Sequence, residues 1–245
     1  MKILKDLLNR LSTDAPVRSV LVGAHWTVVC SQHCGMAATL SSSFPHSRGA
    51  VRQAGYLHNL TALELAEYAL SNNLLEASIG VAAINSLLDV DESQAVEINA
   101  VDMLAEHGRG KTVALIGHFP FIPKLQPAVG QLWVIEHHPS EGEYPAEAAN
   151  ELLPQADVVA ITSSTLINHT LDGLLDLCRS DAMVMMLGPS TPLSSVLFDH
   201  GVSILSGSKV IDESAVLRTV GQGATFQQVE GVRLLTLRRE TWNLS

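Results

Sequence analysis

The chain is short of positive charge: 15 Lys plus Arg stand against 25 Asp plus Glu in 245 residues, a formal net charge of −10. Without a basic footprint it has no means of neutralising phosphates, so nucleic acid is excluded as a partner and an anionic membrane surface would repel it. It also lacks any apolar run near the ~20 residues that a membrane helix needs. The opening stretch Met1-Lys2-Ile3-Leu4-Lys5-Asp6-Leu7-Leu8 has helical periodicity but too much charge for a secretory apolar region, so a cytoplasmic protein is expected. Cysteine is scarce as well. Cys30, Cys34 and Cys178 form an odd, sparse set, which argues for reduced thiols rather than a disulfide framework.

Apolar segments of strand length are plentiful. Thr112 to Ile116 breaks at Gly117-His118, and Leu132 to Ile135 stops at Glu136-His137-His138. Asp157 to Ile161 runs into Thr162-Ser163-Ser164, Ala182 to Leu187 into Gly188-Pro189-Ser190, and Val202 to Leu205 into Ser206-Gly207-Ser208. Strands apolar on both faces that deliver polar or small residues to one edge are the mark of a parallel sheet whose ligand site lies beyond the carboxyl ends. Helical spacing between them, at Asn168 to Arg179 and Leu193 to His200, completes an alternating pattern and predicts a Rossmann-like α/β unit.

The first hundred residues read differently. Val17 to Ser31 and Met36 to Leu40 alternate as strands, a third strand is expected within Gly49 to Tyr56, and helices follow over Leu60 to Ser71, Leu74 to Leu88 and Ala95 to Glu106. Thr61 with Glu64 three residues on predicts a capping box. The glycine-flanked His107-Gly108-Arg109-Gly110-Lys111 suggests a boundary, giving an α+β unit over 1–108 and an α/β unit over 109–245. Mean hydropathy is positive, and burial of the excess apolar surface in a homodimer is the expected explanation.

Six blocks in order, Gly23-Ala24-His25-Trp26-Thr27, Cys34-Gly35-Met36-Ala37, Ile79-Gly80-Val81-Ala82-Ala83-Ile84-Asn85, Gly117-His118-Phe119-Pro120-Phe121, Asn168-His169-Thr170-Leu171-Asp172 and Gly188-Pro189-Ser190-Thr191-Pro192-Leu193, resemble the putative heavy-metal chelation family. The resemblance implies an enolase amino-terminal-like domain followed by a Rossmann-like domain, with a site between them. It also implies a part in making or handling a metal-chelating compound.

The candidate site residues follow from the strand edge. Gly117 opens the turn after the first parallel strand, and Glu136 follows it by the spacing at which an acidic residue meets ribose in dinucleotide sites. His118-Phe119-Pro120 replaces the small residues that let a backbone approach pyrophosphate, so NAD is not expected. A nucleoside or S-adenosylmethionine, which needs no such cradle, stays open, as does a transition metal. Ten histidines against five phenylalanines make His118, His137 and His169 candidates for proton transfer or metal ligation, each with a bland alternative as an ordinary loop residue. Thr162, Ser164 and Asn168 form a hydroxyl- and amide-bearing loop, and Gly188 with Ser190 repeats the motif one strand later. From the first unit, Cys34 is the candidate thiol and Asn85 the amide that needs partners within an apolar helix. The ligand expected is a small molecule, and three reactions stay open: chemistry on that molecule, direct metal binding through His and Cys, and nucleoside-dependent group transfer.

Overall fold

The protein is described here by a computed structural model covering residues 1–41, 51–96 and 99–242. Helix α1 (Lys2–Arg10) buries Ile3, Leu4 and Leu7. Strands β1 (Ser19–Val22), β2 (Trp26–Cys30) and β3 (Cys34–Ala38) form an antiparallel sheet in sequence order. Because neighbours on a strand face opposite ways, Val28 and Cys30 enter one apolar cluster while Val29 enters another. Helix α2 (Ala62–Ala66) begins with the expected capping box: Thr61 Oγ1 accepts from Glu64 N at 3.3 Å, and Glu64 Oε2 accepts from Thr61 N at 2.8 Å. Helix α3 (Leu74–Leu87) is buried without interruption from Glu76 to Ile84 and packs on β2 and β3. A helix apolar all round belongs inside a core, and this one does.

The structure departs from the expected pattern at two places in this part of the chain. Residues 51–56 form turns, not a strand, and Gly49 and Ala50 lie outside the described residues. The third strand comes instead from Val17 to Ser31, which folds back on itself where Gly23 N donates to Trp26 O at 2.8 Å. Period-two alternation continues through that tight turn, so the pattern does not reveal it. Second, Cys30 and Cys34 are not free thiols. They face each other across the β2–β3 pair with Cα atoms 4.1 Å apart and are joined by a disulfide. A count of three cysteines cannot register that a turn brings positions 30 and 34 opposite one another. Cys178 is free, and burial pushes its thiol up to about 11.

The remainder begins with α4 (Ala100–His107), which starts later than its apolar spacing suggests because Val96 is taken into a bridge with Thr236. Then follow β4 (Thr112–Ile116), α5 (Ile122–Leu125), β5 (Gln131–Glu136), β6 (Tyr144–Pro145), α6 (Ala149–Leu152), β7 (Val158–Thr162), α7 (Ser164–Ile167) and α8 (Leu171–Leu177). The chain continues through β8 (Met183–Leu187), α9 (Val196–Asp199), β9 (Ile204–Val210), α10 (Glu213–Gly221) and β10 (Val232–Arg238). The seven-stranded sheet has the order β6-β5-β4-β7-β8-β9-β10, parallel throughout except for β10, which runs antiparallel to β9. Strand order reverses between β4 and β7. That is the topological switch point at which open α/β sheets hold ligands.

Both faces of the sheet are covered. Val113 and Leu115 of β4 pack with Met103 and Leu104 of α4, while Ala114 and Ile116 belong to a cluster that runs without a break into α1, α2 and α3. The helices α1, α2 and α3 and the large sheet therefore share one core along one face of that sheet. Helix α1 is tied to that side too: Asp172 Oδ1 accepts from Lys2 N and Ile3 N at 2.6 and 3.2 Å, filling its amino-terminal donors. On the other side of the small sheet, α10 lays Val216 and Val220 against Val28, Cys30 and Met36. Among the described residues, no helix is long and apolar enough to cross a membrane.

Candidate functional site

At the end of β4 the backbone turns at Gly117 with φ 108°, a conformation that costs a residue with a side chain roughly 1–3 kcal/mol. A Cβ there would also lie 2.9 Å from Thr162 Cγ2. The turn is held by Glu136 at the end of β5: its Oε1 accepts from His118 N at 2.6 Å and its Oε2 from His137 N at 2.9 Å. The carboxylate is thus neither a solvated strand end nor turned into a cavity; it pins two adjacent strand ends. His118 Nδ1 lies 2.8 Å from Glu143 Oε1, and the Ser140 N–H together with His118 holds the Glu143 carboxyl below the usual carboxylate range. His137 and His138 are exposed. Glu136→Gln, which keeps the shape but offers one acceptor to two N–H donors, is expected to cost about 1 kcal/mol in urea unfolding, the order of one lost charge-assisted hydrogen bond. An unchanged unfolding midpoint would remove Glu136 from this role.

Beyond the turn the chain encloses a cavity of about 840 Å³, within the usual range for small-molecule sites. One wall carries Phe119 and Phe121, whose rings stack at 4.9 Å and 18°. A second is made by the strand ends themselves: Thr162, Ser163 and Ser164 after β7, and Gly188, Pro189 and Ser190 after β8. The small sheet closes it with Trp26 and Ala38, and Trp26 meets the edge of Phe226 at 5.4 Å. Arg233 of β10 adds a cation, its guanidinium paired with Glu92. The indole N–H of Trp26 and the hydroxyl of Thr191, both buried, have no hydrogen-bond partner among the described residues. Both atoms are sealed within the wall and not on the cavity surface, so they say nothing of what the cavity holds.

Two side chains lock the walls together. Ser190 Oγ accepts from Ala38 N at 2.8 Å, and Asn85 Nδ2 donates to Met36 O at 3.0 Å and to Ser190 O at 3.1 Å. Asn85 therefore ties α3 to β3 and to the loop after β8.

Sequence profiles described as putative heavy-metal chelation match residues 4–88 and 99–238. The chain belongs to this family. An uncharacterised protein of Methanocaldococcus jannaschii is 27% identical over 190 residues, 75% of this chain and 72% of that one. The crystal structure of a family member of unknown function from Desulfitobacterium hafniense superposes with a TM-score of 0.86 at 29% identity, over 97% of this chain and 98% of the other. A second, from Pyrococcus horikoshii, gives 0.82 at 22% identity over the same shares and speaks to the fold alone.

Of the residues singled out from sequence, Thr162, Ser164, Gly188 and Ser190 line the cavity, and Gly117 abuts it through Thr162. His118, Glu136 and His137 stand together on the adjoining strand edge. Asn168 is spent locally, its Oδ1 accepting from Thr170 N and Oγ1, and His169 donates through Nε2 to Ala69 O at 2.8 Å. Cys34 lies elsewhere, against α10. Trp26, Phe226 and Arg233 are wall residues that sequence reasoning passed over. The one available signal was Trp26 within the block Gly23-Ala24-His25-Trp26-Thr27; Phe226 and Arg233 lie in a stretch where no motif stands out.

Proposed function

We propose that the protein takes an oxygen- or nitrogen-bearing small molecule into the cavity between its two units and acts on it in the making or handling of a metal-chelating compound. The observation that supports this is the wall chemistry: stacked aromatic rings and a row of hydroxyls line one cavity at a topological switch point. Stacked rings favour a planar ligand, and the hydroxyls fix its polar edge. The metal link comes from the family's description. Proton transfer in this reading falls to His118 and His137 of the neighbouring strand edge, with Glu136, whose two oxygens accept from their backbone N–H groups, holding them in place. A second reading, transfer chemistry dependent on S-adenosylmethionine or another nucleoside, is favoured by the same rings and hydroxyls, which suit adenine and ribose. Direct metal binding by imidazoles has less support. Among the described residues, the grouping of His, Cys, Asp and Glu close enough to share an ion contains no histidine.

The division at residues 108 and 109, a cytoplasmic setting and a homodimer complete this reading. Exposed Ile211 and Leu234 near the β10 edge supply apolar surface for a second copy. The test is a thermal-shift panel of S-adenosylmethionine, nucleosides, and hydroxylated or carboxylated aromatics. A ligand at 100 times its Kd should add ~2.7 kcal/mol of stability, and Ser164→Trp, which fills the cavity from its rim, should abolish the effect. A panel that moves nothing, or a hit that Ser164→Trp leaves intact, overturns the proposal.

A further inference from the structure

Apart from the cavity, a second place in the molecule gathers reactive groups across the seam of the two units. The Sγ atoms of Cys30 and Cys34 and a carboxylate oxygen of Glu213 all lie within 4.8 Å of one another. The cysteines end β2 and begin β3, and Glu213 is the first residue of α10, so the donors come from opposite sides of the seam. Cys30 is buried, whereas Cys34 and Glu213 are half-exposed, which leaves one open side. Arg18 fixes the carboxylate on its side of the group: its Nη2 donates to Glu213 Oε2 at 2.7 Å, and its backbone N donates to Cys30 O at 2.8 Å.

As a staple the disulfide does little. It closes a loop of four-residue separation between positions that the β2–β3 ladder already pairs. The entropy that a cross-link removes from the unfolded chain grows with loop length, so this one removes little. What the pair can do on opening is different. We propose that reduction of Cys30–Cys34 creates a site for one thiophilic divalent cation of the zinc type, held by the two thiolates and the Glu213 carboxylate, with the disulfide as its closed form.

The steps balance. A dithiol reductant supplies two electrons, its own sulfurs become a disulfide, and one proton goes to each of Cys30 Sγ and Cys34 Sγ. Binding of the cation then displaces both protons to solvent. Donors around a tetrahedral zinc with Zn–S of about 2.3 Å stand about 3.8 Å apart, so the three groups need only side-chain rotation to reach it. Two thiolates select zinc-like ions over magnesium or calcium, and the open side leaves a fourth position for water or an external ligand. Cys178 is no competitor, since the group of donors close enough to share an ion among the described residues does not include it.

The test uses the full chain reduced with a phosphine, freed of excess reductant under nitrogen and titrated with Cd²⁺. Thiolate-to-metal charge-transfer absorbance and elemental analysis are the readouts. The reduced protein is expected to bind one Cd²⁺ per chain at least a hundredfold more tightly than the oxidised protein. Cys34→Ser should abolish the absorbance, Glu213→Gln should weaken binding about tenfold, and Cys178→Ser should change nothing. Equal binding by oxidised and reduced protein, or full binding by Cys34→Ser, overturns the site. Full binding by Glu213→Gln overturns the three-donor assignment. If circular dichroism shows that reduction alone unfolds the chain, the disulfide is a structural staple and the proposal fails. Because the readout is metal at the sulfurs, an empty cavity in the ligand panel has no bearing on the outcome.

Discussion

Gly80→Ala is expected to destabilise the protein by about 3 kcal/mol or more, although alanine is the better helix former. In an exposed helix interior the same change would add roughly 0.8–1.0 kcal/mol of stability, so the sign of the result is itself the test. Gly80 sits in the middle of α3, where that helix crosses the 3₁₀ turn Glu67–Leu70 that follows α2. A Cβ at Gly80 would stand 2.5 Å from both Ala69 Cα and Tyr68 C, and closer still to Ala69 N. These are backbone atoms and cannot rotate away as a side-chain tip would. Overpacking a well-fitted core typically costs 1–3 kcal/mol where side chains can give, and here the whole turn has to retreat. Retreat would also disturb the Ala69 carbonyl that receives His169 Nε2 and the Tyr68 hydroxyl that donates to Arg52 O. At roughly 2–4 °C per kcal/mol for a chain of this size, thermal unfolding should fall by about 6–12 °C. A rise in the transition would mean that the turn is soft and that helix propensity decides.

What the sequence disclosed and what it withheld divide along physical lines. The parallel strands were legible because burial on both faces forces continuous apolar runs, as in Thr112 to Ile116 and Ala182 to Leu187. The hydroxyl loops at their ends were legible for the complementary reason, that such runs must stop where the backbone leaves the sheet. β10 was missed because Arg233 and Arg238 lie within a strand whose apolar residues, Val232, Leu234, Leu235 and Leu237, keep no strict alternation. α10 was missed although Asp212, whose side chain caps Ala215 N, marks its start. The shared core was beyond reach, since nothing in the periodicity of α1 says that it docks on α8 and α9. The cavity wall followed the same rule. Residues contributed by the strand ends were foreseen, and those brought in from afar, Trp26 and Phe226, were not. Cys30 and Cys34 needed the register of a hairpin whose turn, Ser31-Gln32-His33, was recognised without its consequence.

The second large effect concerns Glu76, a carboxylate only 3% exposed inside α3. Its Oε1 accepts from Arg52 N at 2.7 Å, its Oε2 from Ser71 Oγ at 2.6 Å, and the Arg52 guanidinium lies 3.1 Å from both oxygens. Burial by itself would raise the acid's pKa, but the hydrogen bonds from Ser71 and Arg52 outweigh it and hold the group below the ordinary 4.5. A folded-state value below the unfolded one means that the ionised group stabilises the fold at pH above about 4.5, and that this contribution is lost as pH falls through the folded value. Glu76→Gln is therefore expected to cost about 2 kcal/mol at pH 7, as befits charge-assisted hydrogen bonds with an Arg52 that remains largely in water. The gap to the wild type should close progressively below pH 4.5, because protonation gives the wild type the same neutral group. Urea unfolding of both proteins across pH 3 to 7 measures the gap directly. A gap that stays constant through the acid range would assign the loss to packing and not to the ionised carboxylate.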